Sequence, residues 1–429
     1  MARRGFYQKI KNIGFVSTRL AGTDGVSLET AKWANVFQAE GFNCFFMAGE
    51  LDSPENISLL VPEAHFTHPR IRAINSHVYD NQMRDRKITA EIHRLRVLLK
   101  DRLYAFAEKF NIQLLIPQNA LTIPINIPLG LALAEFIAET GMATIAHHHD
   151  FYWERDRFMS NAVGDYLKMA FPPDLESIKH VVINSFAAQQ LSLRTGISAA
   201  CIPNVMDFGH PPDPPDAYTA DVRKDLGIAD DEFFILQPTR VVARKGIEHA
   251  IELVHRLGLK AKLVISHASG DEGYDYENRL RDYSKLMGVK TVFVANIINE
   301  QRGRTPDGRK IYTLEDIYPH ADLVTYPSTF EGFGNAFLEA VYFKRPIVVN
   351  KYSIYAKDIE PKGFKVVEID GYVTDQAVER ARQLLTDPEL CRQTVERNYA
   401  VGRRFFSYRV LSKRLRGFIQ MSLGGIGGE

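Results

Sequence analysis

The stretch Pro327-Ser328-Thr329-Phe330-Glu331-Gly332-Phe333-Gly334-Asn335-Ala336-Phe337-Leu338-Glu339 decides how the rest of the chain is read. It sets two carboxylates, Glu331 and Glu339, eight positions apart across a glycine-rich turn that runs into an apolar, helix-compatible segment. A helix beginning near Asn335 leaves its first backbone N–H groups without intrahelical partners and pointing outward, which suits a phosphate. Gly332 and Gly334 carry no side chain, so a ligand can approach the backbone closely. Glu331 then stands at the turn and Glu339 about one helical turn inside. One carboxylate meets hydroxyls at one end of a ligand and the other meets hydroxyls at the opposite end, with phosphates between. That is a template for a sugar–diphosphate–nucleoside.

Working outward, the stretch follows the strand-like run 323–326 and precedes another, 346–350. Further apolar runs at 233–236, 261–266 and 291–295 complete an alternating strand–helix series. A similar series fills the N-terminal half, with strands at 13–17, 43–47, 114–117, 143–146 and 180–184 and a helix over 27–40. Each series suggests a parallel sheet covered by helices on both faces. Between them, residues 207–217 hold four prolines, which forbid helix and central strand and leave an extended connection. The expected organisation is an N-terminal domain over 1–206, a linker over 207–217 and a C-terminal domain over 218–404. The expected fold class is therefore α/β, with two doubly wound, Rossmann-like sheets facing a cleft and ligands at the carboxyl ends of the strands. The segment 298–313, polar and carrying Gly303, Pro306 and Gly308, reads as a mobile surface loop over that cleft.

Glu331 and Glu339 resemble the glutamate–seven–glutamate signature of retaining glycosyltransferases with the GT-B fold, especially glycosyltransferase family 4 (group 1). The resemblance implies that Glu331 contacts the donor sugar. It implies that the backbone of Gly332, Phe333, Gly334 and Asn335 contacts sugar and phosphate, and that Glu339 holds the ribose. It also implies that the C-terminal helix, 405–421, packs back on the N-terminal domain. Arg240-Val241-Val242-Ala243-Arg244-Lys245-Gly246 follows the strand at 233–236. Arg240 and Lys245 resemble the family's Arg and Lys pair, whose charges neutralise a diphosphate leaving group. Arg244 reads as an ordinary surface charge. No D-x-D occurs, so a metal-bridged diphosphate is not indicated and no cofactor is expected beyond the donor.

Three N-terminal segments add candidates. Thr18 to Glu29 joins the first strand to the first helix, and Gly25 with Ser27 as N-cap leaves amide donors for the donor phosphates or for a plain tight turn. Ala146-His147-His148-His149-Asp150-Phe151-Tyr152-Trp153-Glu154-Arg155-Asp156-Arg157 follows a strand. Neighbours on an extended backbone point to opposite faces, so the three histidines do not chelate one ion, and no metal is assigned. By resemblance, either His148 or His149 sits near the donor sugar. Arg155 and Arg157 either hold an anionic acceptor or pair with Glu154 and Asp156. Ile202-Pro203-Asn204-Val205-Met206-Asp207 resembles the string that closes the family's first domain and marks a boundary without chemistry.

Composition limits the rest. A chain of 429 residues exceeds one ordinary core. Formal net charge is +1, which provides no global field for nucleic acid. Cys44, Cys201 and Cys391 stand in no paired spacing and read as buried thiols in a reducing, cytoplasmic setting. The uncharged run 112–134 is broken by Pro117, Pro124 and Pro128 into strand, loop and helix start rather than a membrane span. Residues 84–103 put Ile88, Ile92, Leu95 and Leu99 on one stripe amid basic side chains. That pattern fits a domain helix better than a lipid-docking one. The expected function is hexosyl transfer, with retention, from a nucleotide-sugar to a hydroxyl of a small or glycan acceptor. The N-terminal strings resemble enzymes acting on sugar phosphates or glycosyl-phosphoglycerate. A GT-B epimerase or phosphorylase and a non-catalytic nucleotide-binding module are the alternatives.

Overall fold

The structure, a computed structural model, describes residues 10–22, 24–269 and 273–424. The basic start of the chain and most of its glycine-rich tail lie outside the described residues. The chain divides into two compact units, one reaching Asn204 and returning from Arg409, the other running from Val205 to Tyr408.

In the first unit seven parallel strands lie in the order β3-β2-β1-β4-β5-β6-β7. They are β1 Asn12–Val16, β2 Asn43–Ala48, β3 Ser58–Leu60, β4 Leu114–Pro117, β5 Thr144–His148, β6 Ile178–Val182 and β7 Ala199–Cys201. Strands buried on both faces are mostly apolar, as β4 is throughout, and the buried polar residues of β5 need internal partners. The three-residue edge strands β3 and β7 were not anticipated, because runs so short carry no period to read. The uncharged run resolves into β4, a loop, and the helix Ile127–Thr140, capped by the Asn126 side chain on the Leu129 N–H at 3.0 Å. Among the described residues no helix is long and apolar enough to cross a membrane.

The basic helix Arg86–Phe110 turns Ile92, Leu95 and Leu99 fully into the core. Arg84 is paired with Asp165, Arg94 with Glu91, Arg96 with Glu135, and Lys100 with Glu135 and Glu139. Its apolar stripe is thus already covered and much of its charge met within the unit. The C-terminal helix runs Tyr408–Gly424 and packs in this first unit, with Ser412 donating to Glu40 at 2.7 Å. Phe405, expected inside that helix, instead ends the preceding one, Pro388–Phe405.

The second unit holds six parallel strands in the order β10-β9-β8-β13-β14-β15. In chain order they are β8 Phe233–Gln237, β9 Ala261–Ile265 and β10 Lys290–Phe293. A short antiparallel pair, β11 Gly303–Arg304 and β12 Lys310–Ile311, precedes β13 Leu323–Tyr326, β14 Ile347–Asn350 and β15 Val367–Ile369. Here two expectations change. The 298–313 segment is fastened: Tyr218 donates its hydroxyl to the carbonyls of Gly303 and Ile311, both at 2.8 Å, and Arg302 pairs with Asp216 and Asp316. The proline-rich 207–217 segment is part of the second unit, where Phe208 is buried against Gly402 and Tyr399.

Both sheets reverse their strand order once, between β1 and β4 and between β8 and β13. At such a switch point the loops leaving the two central strands splay apart, which makes the carboxyl ends of those strands the natural place for a ligand. The loops after β8 and β13 carry the Arg240–Lys245 string and the Glu331 stretch.

Candidate active site

The two loops of the second unit are laced together. The Arg244 carbonyl accepts from the Thr329 N–H at 2.9 Å and from its hydroxyl at 3.1 Å. Gly246, with φ +57°, packs so closely that a Cβ there would lie 2.6 Å from the Pro327 carbonyl oxygen. Only a residue without a side chain fits both the left-handed backbone and the gap.

This lacing brings Lys245 onto Glu331. Its ammonium pairs with Oε1, and Arg244 Nη1 lies 3.4 Å from Oε2. Both partners are buried, Lys245 at 8% and Glu331 at 9% exposure. Burial pushes the Glu331 carboxyl up, but Lys245, Ser328 and Arg244 outweigh it and hold it below the usual carboxylate range. Burial likewise pulls Lys245 below the usual lysine range, and its attraction to Glu331 recovers part of that loss. The pair is therefore ionic, and Glu331 presents a fixed carboxylate.

Helix Asn335–Tyr342 begins where the sequence places it, with Gly334 at φ +130° in the N-cap position and no side-chain cap. A Cβ on Gly334 would overlap the Tyr352 hydroxyl, which itself donates to the Phe333 carbonyl at 2.7 Å. The Phe333 side chain is buried. Glu339 sits one helical turn inside and accepts from the Tyr318 hydroxyl at 2.8 Å. Tyr318 is stacked on Phe343 and held well above the usual phenol range by burial and by Glu339, so it remains a donor. Tyr318 had no signal in the sequence: its partner lies 21 residues on, across β13.

Arg240 is exposed, and among the described residues its guanidinium makes no hydrogen bond or ion pair. Beside it lies His267, missed in the sequence although it stands two residues past the end of β9. Ser266 Oγ is 2.7 Å from its Nδ1, and burial, Arg240 and Lys245 keep it below the usual imidazole range.

In the first unit the histidine string alternates faces as the strand geometry requires. His147 and His149 both donate to Gln118 Oε1, at 2.9 and 3.2 Å. His148 faces the other way, buried, with Nε2 2.9 Å from His180 Nδ1. His148 is therefore inside the core, and His149, half-buried at the strand end, is the one near the first loop, close enough to feel Asp24 and Lys32. Burial lowers His149 to about 4, so it is neutral. Among the described residues no three metal-ligating side chains gather.

Two local expectations are corrected. Helix Gly25–Ala39 is capped by Asp24, not Ser27: the Asp24 carboxylate accepts from the N–H groups of Val26 and Ser27 at 3.0 and 3.2 Å, so those amides, meant for a phosphate at Gly25, are already taken. Arg155 pairs with Asp150 rather than with Glu154 or Asp156. The Glu154 carboxyl instead accepts from the Phe151 N–H at 2.9 Å and is pushed up to about 7 by burial. Arg157 stacks over Phe158 at 4.5 Å and has no ion-pair partner among the described residues. Of the cysteines only Cys44 is buried, its thiol pushed up to about 12; Cys201 and Cys391 are half-buried.

Residues 219–401 match the model of the family described as "Glycosyl transferases group 1". Over 94% of this chain and 99% of the relative, the sequence is 30% identical to the mannosylglucosylglycerate synthase of Petrotoga mobilis. It is 32% identical to the enzyme of the same name from Thermotoga maritima, over 90% of this chain and 94% of that one. The chain is a group 1 glycosyltransferase. A crystal structure of a glycosyltransferase from Rickettsia africae superposes with a TM-score of 0.68 over 97% of this chain and 99% of that one, at 12% identity. The glycosyltransferase thus has the GT-B class of fold, with its two parallel-sheet α/β units. The epimerase, phosphorylase and non-catalytic alternatives give way to transfer of a glycosyl group.

Proposed function

We propose that this glycosyltransferase moves a mannosyl group from a nucleoside-diphosphate sugar to a hydroxyl of glucosylglycerate, with retention of configuration. The observation that carries the donor half is the fixing of the buried Glu331 carboxylate by Lys245 and Arg244. Glu331 meets the sugar hydroxyls, the backbone of Gly332 to Asn335 meets sugar and phosphate, and Glu339, oriented by Tyr318, meets the ribose. Arg240 and Lys245 stabilise the charge that grows on the leaving diphosphate, an effect strongest in the transition state. As the bond between the anomeric carbon and the diphosphate oxygen breaks, the acceptor oxygen bonds to that carbon from the same face. Its proton passes to the departing phosphate.

The acceptor half is supported by the likeness along nearly the whole chain to two enzymes whose name describes joining mannose to glucosylglycerate. Such an acceptor carries a carboxylate at neutral pH. Arg157, a cation without an ion-pair partner among the described residues, suits it, with Arg155 beside it held by Asp150. His149, neutral and half-buried, supplies a polar edge for sugar hydroxyls.

The test is release of nucleoside diphosphate from GDP-mannose, UDP-glucose and ADP-glucose, each with glucosylglycerate, glucosyl-3-phosphoglycerate or no acceptor. Release that requires glucosylglycerate and yields an α-linked product from an α-linked donor supports the reading. Release that depends on neither acceptor, or inversion at the anomeric carbon, overturns it.

A further inference from the structure

Arg244 is assigned no contact with donor or acceptor above, yet residue 244 is bound to the Glu331 loop at both ends. Its carbonyl accepts both Thr329 donors, while its guanidinium Nη1 lies 3.2 Å from the Phe330 carbonyl and 3.4 Å from Glu331 Oε2. An ordinary surface charge would not make the side-chain contacts.

We propose that Arg244 is a positioning residue: its guanidinium holds the Oε2 side of Glu331 while Lys245 holds Oε1, fixing the plane in which the carboxylate is offered to the donor sugar. The inference rests on Glu331 being the group that meets that sugar.

Three features separate this from a simple clasp between loops. The clasp is made by the backbone carbonyl of residue 244 and survives replacement of the side chain. The Arg244 side chain is 39% exposed, so its attraction to Glu331 is screened and adds little to stability. What remains is geometry. A single guanidinium nitrogen, Nη1, reaches the Phe330 carbonyl and the carboxylate at once with its hydrogens held in the guanidinium plane, whereas a lysine ammonium is a point charge with freely rotating hydrogens that cannot fix an orientation in the same way. Small displacements of a reacting constellation cost rate far more than they cost binding.

The groups facing Glu331 are Lys245 and Arg244 from the loop after β8, Ser328 from its own loop, Tyr326 from β13 and Tyr352 after β14. Removing Arg244 leaves one cation fewer to favour the ionised carboxylate. The acid limb of kcat therefore moves to higher pH if that carboxylate must be charged.

The experiment compares the full chain with R244A, R244Q and R244K in acceptor-dependent nucleoside diphosphate release, over about pH 5 to 9, with melting temperatures alongside. For R244A and R244Q the expected result is a kcat about 10- to 100-fold lower, a donor KM within about threefold, and the shifted acid limb. R244K recovers the limb but only part of kcat. Should R244A fail to fold, R244Q retains a side-chain amide for the Phe330 carbonyl and answers alone. A kcat within twofold of wild type in R244Q overturns the proposal. So does a loss of kcat that follows the melting temperature with no movement of the limb. If the wild-type chain itself releases nothing with any donor and acceptor, the reading of Glu331 fails first.

Discussion

Replacing Lys245 by Met removes one half of the buried pair and leaves the Glu331 carboxylate without its nearest cation. Both residues are under a tenth exposed, so the loss is that of an uncompensated buried charge, about 3–5 kcal/mol. Arg244 stays at 3.4 Å from Oε2, but being 39% exposed it offsets about 1 kcal/mol at most. The expected destabilisation of the second unit is therefore about 3 kcal/mol, or about 6–12 °C for a unit of this length. The pH dependence follows from the direction of each shift. In the wild type the Glu331 carboxyl is lowered, so its stabilising contribution is present above its unfolded value and is lost as pH falls through the folded one. In K245M the burial effect prevails and the carboxyl is raised. The penalty is then complete at about pH 7 to 8 and shrinks as acid protonates the group. Both tryptophans, Trp33 and Trp153, lie in the first unit, so tryptophan fluorescence follows that unit as an internal control while circular dichroism follows both. Removing both charges in K245M/E331L costs less than K245M alone, because no orphaned charge remains. A second-unit transition within about 1 kcal/mol of wild type at neutral pH, a penalty that grows toward acid, or a double variant less stable than K245M would refute this account.

E331A lowers kcat for transfer by about 1000-fold or more, read from nucleoside diphosphate release, while the first-unit fluorescence transition is unmoved. E339A raises the donor KM about tenfold with kcat changed far less, and Y318F, which only frees the carboxylate to rotate, falls between it and wild type; equal KM values in all three would remove Glu339 from donor binding. In the first unit, His149 and His180 are each held to about 4 by burial, and burial likewise keeps His147 and His148 well below the usual imidazole range. Unfolded histidines bind protons from about pH 6.5 downward, so the first unit loses about 1.4 kcal/mol per pH unit for each of His149 and His180 between pH 6.5 and 4, and the buried His147 and His148 add in the same direction. A fluorescence-detected stability that is flat over that range contradicts the buried, neutral assignment.

What was legible in the sequence is what neighbours along the chain impose on one another. Glycines at 332 and 334 force a turn whatever surrounds them, and the helix starts at Asn335 as expected. Alternation along an extended strand foretold that His147 and His149 would part from His148. Local reasoning also misled. Ser27 looked like a cap, but the Asp24 carboxylate, one residue before Gly25, reaches the Val26 and Ser27 N–H groups first. The polar 298–313 segment looked mobile because Tyr218, which pins it, lies far upstream.

By itself the chain determined two α/β units, the placing of the glutamate pair at a strand end, and the kinship with group 1 glycosyltransferases. Each of these is written in short periodic or motif-length stretches. Only the tertiary structure decided that Lys245 and Arg244 clasp Glu331, that Tyr318 orients Glu339, and that His148 belongs to the core with His180. Lys245 and Glu331 are 86 residues apart and meet because β13 pairs with β8. Strand order is set by the burial of whole faces, and no short window of sequence contains it.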